Sequence, residues 1–192
     1  MSYRDPVELS FLASKKEKAS ALPPEWYQEI DGKRILRLLL CVGLNGTGKT
    51  KMIEALQYLR MLAVYKPEKP TDRPAYRPFL LDEQSRYEPS ELSLTYYINN
   101  TCHYYYIKVS EKRIEEEILK QISPNILLYH RFYNSETDTV SIKFGSDSDI
   151  SKSTQQALKL TVIQNSSVLS VFGSLNLESQ SLKANYDFFN QH

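Results

Sequence analysis

An eight-residue segment at residues 43–50 constrains the fold of this chain more than any other part of its sequence. It reads Gly-Leu-Asn-Gly-Thr-Gly-Lys-Thr and fits the pattern G-x-x-x-x-G-K-S/T at every defined position. Glycines in such a loop let consecutive backbone N–H groups point inward at an anion. The segment therefore predicts a phosphate-binding loop, which needs a strand before it and a helix after it.

Both flanks of this loop carry the required patterns. The apolar run over residues 35–42 is typical of a strand that is buried on both faces of a sheet. Behind the loop, apolar residues recur at helical spacing and predict one face of an amphipathic helix that fades by Lys66. The members of this face are Met52, Ala55, Leu56, Leu59 and Leu62. A short strand is also predicted over residues 7–13.

The middle and the end of the chain differ in character from the loop region. Alternation over residues 92–98 and 103–109 predicts a β-hairpin, and three more strands are predicted within residues 113–144. Short polar connections predict that these strands are antiparallel neighbours. The tail has helix-like spacing, and its predicted buried positions are Leu169, Phe172, Leu175, Leu182 and Phe189.

These patterns predict one domain over residues 1–192 of the α+β class, with an α/β P-loop core followed by an antiparallel meander. Its predicted parts are the P-loop core 7–66, a proline-rich loop 67–78, an antiparallel lobe 79–145 and a helical tail 153–190. Four prolines between residues 67 and 78 exclude both a helix and a central strand from that stretch.

The loop predicts a nucleotide ligand, namely ATP with Mg²⁺. The residues expected to contact it are Gly43, Leu44, Asn45, Gly46, Thr47, Gly48, Lys49, Thr50 and Lys51. The Lys49 ammonium is expected at the β- and γ-phosphates, and the Thr50 hydroxyl is expected to ligate the hard cation Mg²⁺. The positive dipole end of the following helix adds to the attraction for phosphate.

Hydrolysis requires an acidic group in addition to the loop. The segment Phe-Leu-Leu-Asp-Glu at residues 79–83 ends in two candidates for that role, Asp82 and Glu83. The apolar run is only three residues long, and Pro78 before it is unfavourable in a central parallel strand. A loop with solvated acids is therefore the alternative interpretation of this segment.

Composition limits the partners and the compartment. The formal net charge is +1, so nucleic acid stays open as a partner only through a local patch. No apolar run approaches the roughly 20 residues that a membrane-spanning helix needs. Cys41 and Cys102 form no metal or disulfide pattern, which favours a reduced, cytoplasmic protein. The fourteen tyrosines are interpreted as an effect of β-propensity rather than of binding.

Asn45-Gly46 makes the sequence motif more specific than that of a generic P-loop. With these residues the loop resembles the G-x-N-G-x-G-K-S/T form of ABC-type ATPases, including SMC-like and RecF-like DNA-repair ATPases. Further segments resemble the AAA-labelled bacterial ABC-type ATPases of phage-defence and abortive-infection systems, which are related to the ATPase domain of OLD nucleases. These segments are residues 7–14, 30–37 and 78–90, followed by the hairpin to Val109 and Glu115-Glu116.

The resemblance implies that the loop binds ATP and that two ATPase heads dimerise around two nucleotides, with an effector nuclease as a further partner. It also implies that the acidic strand of the family lies later than residues 79–83. The signature motif, the acidic strand and the switch histidine of the family have no counterpart in this sequence. The chain is therefore expected to be an N-terminal lobe that hydrolyses ATP only when the missing groups are supplied.

Two other interpretations stay open from the sequence. The chain could be a self-contained P-loop enzyme, such as a nucleotide kinase, with Asp82 at the metal. The predicted meander disfavours this interpretation because it replaces parallel βαβ units. Alternatively, the chain could be a non-enzymatic interaction fragment in which the loop is vestigial.

Overall fold

A five-stranded antiparallel sheet forms one layer of the protein, and helices cover one of its faces. The computed structural model describes residues 5–13, 22–69, 71–74 and 87–191. In chain order the strands are β1 (Tyr27–Ile30), β2 (Lys33–Leu36), β3 (Ser90–Ile98), β4 (Thr101–Val109), β5 (Ile114–Gln121), β6 (Ile126–Asn134) and β7 (Thr139–Phe144). The helices are α1 (Lys49–Val64), α2 (Lys152–Thr161), α3 (Val168–Ser174) and α4 (Gln180–Gln191).

The main sheet is a meander in which β3 to β7 lie in sequence order and each strand pairs antiparallel with the next. The turn between β3 and β4 places Asn99 and Asn100 at φ values of 47° and 64°. Two central residues at positive φ match the twist of a two-residue hairpin, and asparagine tolerates that conformation. The predicted hairpin, the three further strands and their antiparallel pairing are thus confirmed.

The core lies between this sheet and the helices. On β4 the side chains alternate, so that Tyr105, Ile107 and Val109 are fully buried against the helical layer. Burial of each such side chain contributes roughly 1.5–3 kcal/mol. The predicted helical tail is confirmed as α2, α3 and α4. Of its predicted buried positions, Leu169, Phe172, Leu182 and Phe189 are buried and Leu175 is partly buried.

A smaller two-stranded sheet precedes the loop. β1 and β2 pair antiparallel, with Tyr27 opposite Leu36. On the other side of β2, Leu12 forms one isolated bridge with Ile35, and the Leu36 N–H donates to the Phe11 carbonyl at 2.7 Å. The strand predicted over residues 7–13 is therefore reduced to a single bridge.

The prediction of a buried strand over residues 35–42 is wrong. Regular pairing ends at Leu36, and Leu38, Leu40 and Val42 are 79%, 80% and 82% exposed. Cys41, which was expected inside this strand, is exposed as well. An apolar run is compatible with a buried strand. Burial on both faces, however, also requires neighbouring strands and covering helices. The described part of the chain supplies neither beyond Leu36.

Helix α1 is confirmed, but its predicted apolar face is buried only in its C-terminal half. Leu59 is 1% exposed and Leu62 is 6% exposed, whereas Leu56 is 45% exposed. The Arg60 guanidinium anchors the same half, because its Nε donates to the Phe189 carbonyl of α4 at 2.7 Å. The first half of α1, together with the loop before it, extends away from the core.

The remaining predictions concern the secondary-structure content, the two cysteines and membrane-spanning helices. The mixed α/β content is confirmed, and the main sheet is antiparallel. Both Cys41 and Cys102 carry free thiols. Across residues 5–13, 22–69, 71–74 and 87–191, no helix combines the length and the apolar character needed to cross a bilayer.

Candidate phosphate-binding site

The loop at residues 43–50 connects an extended segment to the first turn of α1. Its backbone turns twice into the left-handed region, at Gly46 (φ 84°) and at Gly48 (φ 89°). Side chains with a Cβ atom rarely adopt these values, so both positions require glycine. Gly48 is also the N-cap of α1, and its left-handed conformation redirects the chain into the helix.

Lys49 holds the loop closed. Its ammonium donates to the carbonyl oxygen of Gly43 at 2.7 Å and to that of Leu44 at 2.6 Å. Thr47 supports the same turn, because its hydroxyl donates to the Leu44 carbonyl at 2.8 Å and lies 3.4 Å from the ammonium. These hydrogen bonds to the loop backbone therefore fix the positive charge of Lys49 at the loop.

Gly43 leaves little room for a side chain beneath this ammonium. A Cβ atom at that position would lie 3.0 Å from the Thr47 hydroxyl oxygen and 3.9 Å from Lys49 Nζ. Glycine at position 43 thus permits the close approach of Thr47 and Lys49 to the start of the loop.

The N-terminus of α1 adds backbone N–H donors to the loop. The first helical hydrogen bond runs from Met52 N–H to the Gly48 carbonyl at 3.3 Å. The N–H groups of Lys49, Thr50 and Lys51 precede that bond, so they have no acceptor one turn earlier in the helix. The first turn contains no acidic side chain to neutralise the helix dipole.

The charges at this end of α1 favour an anion. Lys49 and Lys51 lie in the first turn, where the positive end of the dipole repels cations by about 0.3–1 kcal/mol each. Glu54 offsets part of this repulsion, since it pairs with Lys51 at 2.7 Å. A bound phosphate would offset the rest.

The donors present fit a magnesium nucleotide in part. Thr50 follows Lys49 in the first turn of α1, so its hydroxyl is available beside the N–H donors, and Mg²⁺ ordinarily needs only one or two protein oxygens beyond phosphates and waters. Within the described residues, no group of three or more histidine, cysteine or acidic side chains could hold a metal on its own. The candidate acids Asp82 and Glu83 lie outside the described residues.

Sequence reasoning missed a buried polar cluster beneath the helices. Glu117 is fully buried and accepts the hydroxyls of Tyr105 at 3.0 Å and Tyr129 at 2.7 Å, while its second oxygen accepts the Val168 N–H of α3 at 2.8 Å. Burial raises the pKa of Glu117, and these hydrogen bonds together with the neighbouring charge of Arg131 oppose that rise. The cluster fixes α3 on the sheet.

Arg131 lies opposite Glu117 on β6 and is also fully buried. Its guanidinium donates to the backbone carbonyls of Ile114, Ile163 and Gln164. Burial lowers the pKa of Arg131 to about 10. Charged residues at inward-facing positions of two strands were the signal for this cluster, but only the strand register shows that they lie opposite each other.

No family model, curated protein or solved structure matches the chain. The likeness of residues 43–50 to the loop of ABC-type ATPases therefore rests on the sequence motif alone.

Proposed function

We propose that residues 43–50 bind the phosphates of ATP with Mg²⁺, and that the chain is the ATP-binding lobe of an ABC-type ATPase. The observation that carries this proposal is the position of the Lys49 ammonium. It is held by the Gly43 and Leu44 carbonyls, next to the N-terminus of a 16-residue helix. A positive charge and the N–H donors of a helix N-terminus then belong to one short segment, as phosphate binding requires.

Each group has a separate part in binding. An ammonium has three N–H donors, and two of those on Lys49 are directed to loop carbonyls. The third makes a longer contact of 3.4 Å with the Thr47 hydroxyl, which a phosphate oxygen would replace. The N–H groups of Thr50 and Lys51 add neutral donors at the helix end. Bound Mg²⁺ would neutralise phosphate charge, with the Thr50 hydroxyl as its protein ligand.

The proposal includes hydrolysis only when further groups are supplied. Phosphoryl transfer needs an acidic residue that orients the metal or the attacking water, and often a second positive charge. We expect the chain alone to turn over ATP very slowly, with a second ATPase head or another partner completing the site. A reducing, cytoplasmic setting and a role in phage defence or DNA transactions belong to the same proposal.

Calorimetric titration with Mg-ATP tests the binding step. Lys49→Ala removes a charged hydrogen-bond donor worth about 1.5–3 kcal/mol, so Kd is expected to rise roughly 10- to 100-fold. Lys112→Ala is the matched control, because it removes an equal charge from an exposed lysine of the β4–β5 connection. Equal affinities for the wild type and Lys49→Ala, or no binding by the wild type, would reject the proposal.

The exposed segment before the loop favours a second candidate function, an interaction scaffold whose loop is vestigial. Leu38, Leu40 and Val42 are each about four-fifths exposed, and apolar surface of this kind often marks contact with another polypeptide. The self-contained enzyme with Asp82 at the metal is the third candidate. Robust steady-state hydrolysis that is lost in Asp82→Asn would favour this enzyme over an ATP-binding lobe.

A further inference from the structure

The outer face of the five-stranded sheet, opposite the helices, carries aromatic and cationic side chains. Antiparallel sheets with one face in water ordinarily present polar residues there. On β4, Tyr105 and Ile107 point into the core, so alternation places Tyr104 and Tyr106 on the outer face, where both are half-buried. Two tyrosines separated by one residue on a strand lie about 6.7 Å apart.

Two rows of side chains cross this face from strand to strand. One row contains Ser93, Tyr106, Ile118, His130 and Lys143, and the next contains Thr95, Tyr104, Lys120 and Leu127. These two rows, called here the aromatic rows, contain no carboxylate. Their lysines, on β5 and β7, attract an approaching polyanion, and the nearest carboxylates of the paired strands, Glu91 and Glu116, lie in the adjoining row.

Both lysines rest on aromatic rings. Lys120 Nζ lies 5.0 Å from the centroid of the Tyr104 ring, and Lys143 Nζ lies 5.3 Å from that of Phe132. A cation–π contact at an exposed site contributes only about 0.5–1 kcal/mol. A phosphate can therefore draw either ammonium away from its ring and leave the ring face open to a base.

The acidic side chains of the neighbouring row, Glu91 and Glu116, each have a hydrogen-bond partner. Glu91 accepts Lys108 at 2.8 Å and also the hydroxyl of Tyr106, and these hydrogen bonds lower the pKa of Glu91. Glu116 pairs with His130 Nε2 at 2.7 Å. A shallow depression of about 420 Å³ opens beside this row, and its lining combines Phe132, Lys108 and Lys143 with the carboxylates of Glu115 and Glu116.

We propose that the aromatic rows bind single-stranded nucleic acid, with bases stacked on Tyr104 and Tyr106 and phosphates at Lys120 and Lys143. Single-stranded nucleic acid is bound by aromatic platforms in a cationic setting, and stacking tolerates any base. Five strands spaced about 4.8 Å apart make a platform roughly 19 Å wide, which accommodates a few nucleotides. This site is separate from the phosphate loop and does not depend on the function proposed for it.

Fluorescence anisotropy of a labelled dodecathymidylate with the full chain tests this proposal. Tyr104→Leu with Tyr106→Leu is expected to raise Kd at least tenfold, whereas Tyr104→Phe with Tyr106→Phe retains binding, because the rings and not the hydroxyls stack. Lys120→Ala with Lys143→Ala is also expected to weaken binding. Its charge-matched control, Lys112→Ala with Lys152→Ala, keeps wild-type affinity.

Salt dependence gives an independent readout. Two or three phosphate contacts predict that Kd rises about tenfold between 50 and 200 mM salt, and that Lys120→Ala with Lys143→Ala flattens this slope. Lys49→Ala is expected to bind the oligonucleotide as the wild type does. Absence of binding at 50 mM salt, unchanged affinity in the leucine and alanine pairs, or loss of binding in Lys49→Ala would each overturn the proposal. The last result would place the oligonucleotide on the phosphate loop.

Discussion

Gly145, directly after β7, is where an added methyl group is expected to be most costly. A Cβ atom there would lie 1.9 Å from the backbone carbonyl oxygen of Leu127 and 2.9 Å from its carbon, whereas real Cβ contacts are essentially never closer than 3.0 Å. The two segments must therefore separate by about 1.1 Å. Because the obstacle is backbone on β6, no change of rotamer can relieve it.

The cost of Gly145→Ala follows from what this separation breaks. The Gly145 N–H donates to the Leu128 carbonyl at 3.4 Å, and this bond closes the end of the β6–β7 pair. Overpacking costs about 1–3 kcal/mol and the lost hydrogen bond about 1 kcal/mol, so we expect a loss of about 2–4 kcal/mol. A domain of this size should then lose roughly 5–15 °C in Tm.

Urea unfolding followed by far-ultraviolet circular dichroism measures this loss. Ser146→Ala is the control, since it changes an exposed neighbour and is expected to stay within about 0.5 kcal/mol of the wild type. A Gly145→Ala protein as stable as the control would refute the reasoning, because it would mean that the end of β7 does not lie against β6 as described.

Three further predictions follow, two on the buried residues Glu117 and His103 and one on Gly173, which is exposed on α3. Glu117→Gln should lose about 1–3 kcal/mol in urea unfolding, because an amide cannot accept both tyrosine hydroxyls and the Val168 N–H; a fully stable variant would contradict this. Burial lowers the pKa of His103 below 6.5, so the unfolded chain binds a proton that the folded chain does not. The free energy of unfolding should therefore be undiminished above pH 6.5 and decrease as the pH falls below it. His103→Gln should show a smaller decrease between pH 7.5 and 5.5, and an equal decrease would exclude His103 as the cause. Gly173→Ala should destabilise by about 1–3 kcal/mol despite the higher helix propensity of alanine, because its Cβ would lie 2.1 Å from the Tyr186 ring. In a Tyr186→Ala background the same substitution should instead stabilise the protein, and a destabilising effect there would disprove the clash.

The sheet and the tail were predictable because their signals are local. Alternation on β4 and the polar connections between strands define the meander, and Asn99 and Asn100 define its first turn. Leu182 and Phe189 repeat at helical spacing, which already indicates their burial in α4. These signals depend on neighbours within a few residues, so the surrounding fold does not need to be known.

The environment of the loop was not predictable in the same way. The run at residues 35–42 has the composition of a central strand, yet Leu40 is 80% exposed, because burial depends on partners that composition does not supply. Likewise, Glu117 and Arg131 become a pair only through the register of β5 against β6. The loop itself was the exception, since its glycines encode its backbone conformation at Gly46 and Gly48.

An amide ¹H–¹⁵N titration of the full chain with Mg-ATP tests the central claim most directly, because it reports where the nucleotide binds. We predict saturable shifts that are largest for residues 43–51, together with their loss in Lys49→Ala and their retention in Lys112→Ala. Shifts concentrated on the outer sheet face around Tyr104, or no saturable shift in the loop at millimolar Mg-ATP, would contradict the account.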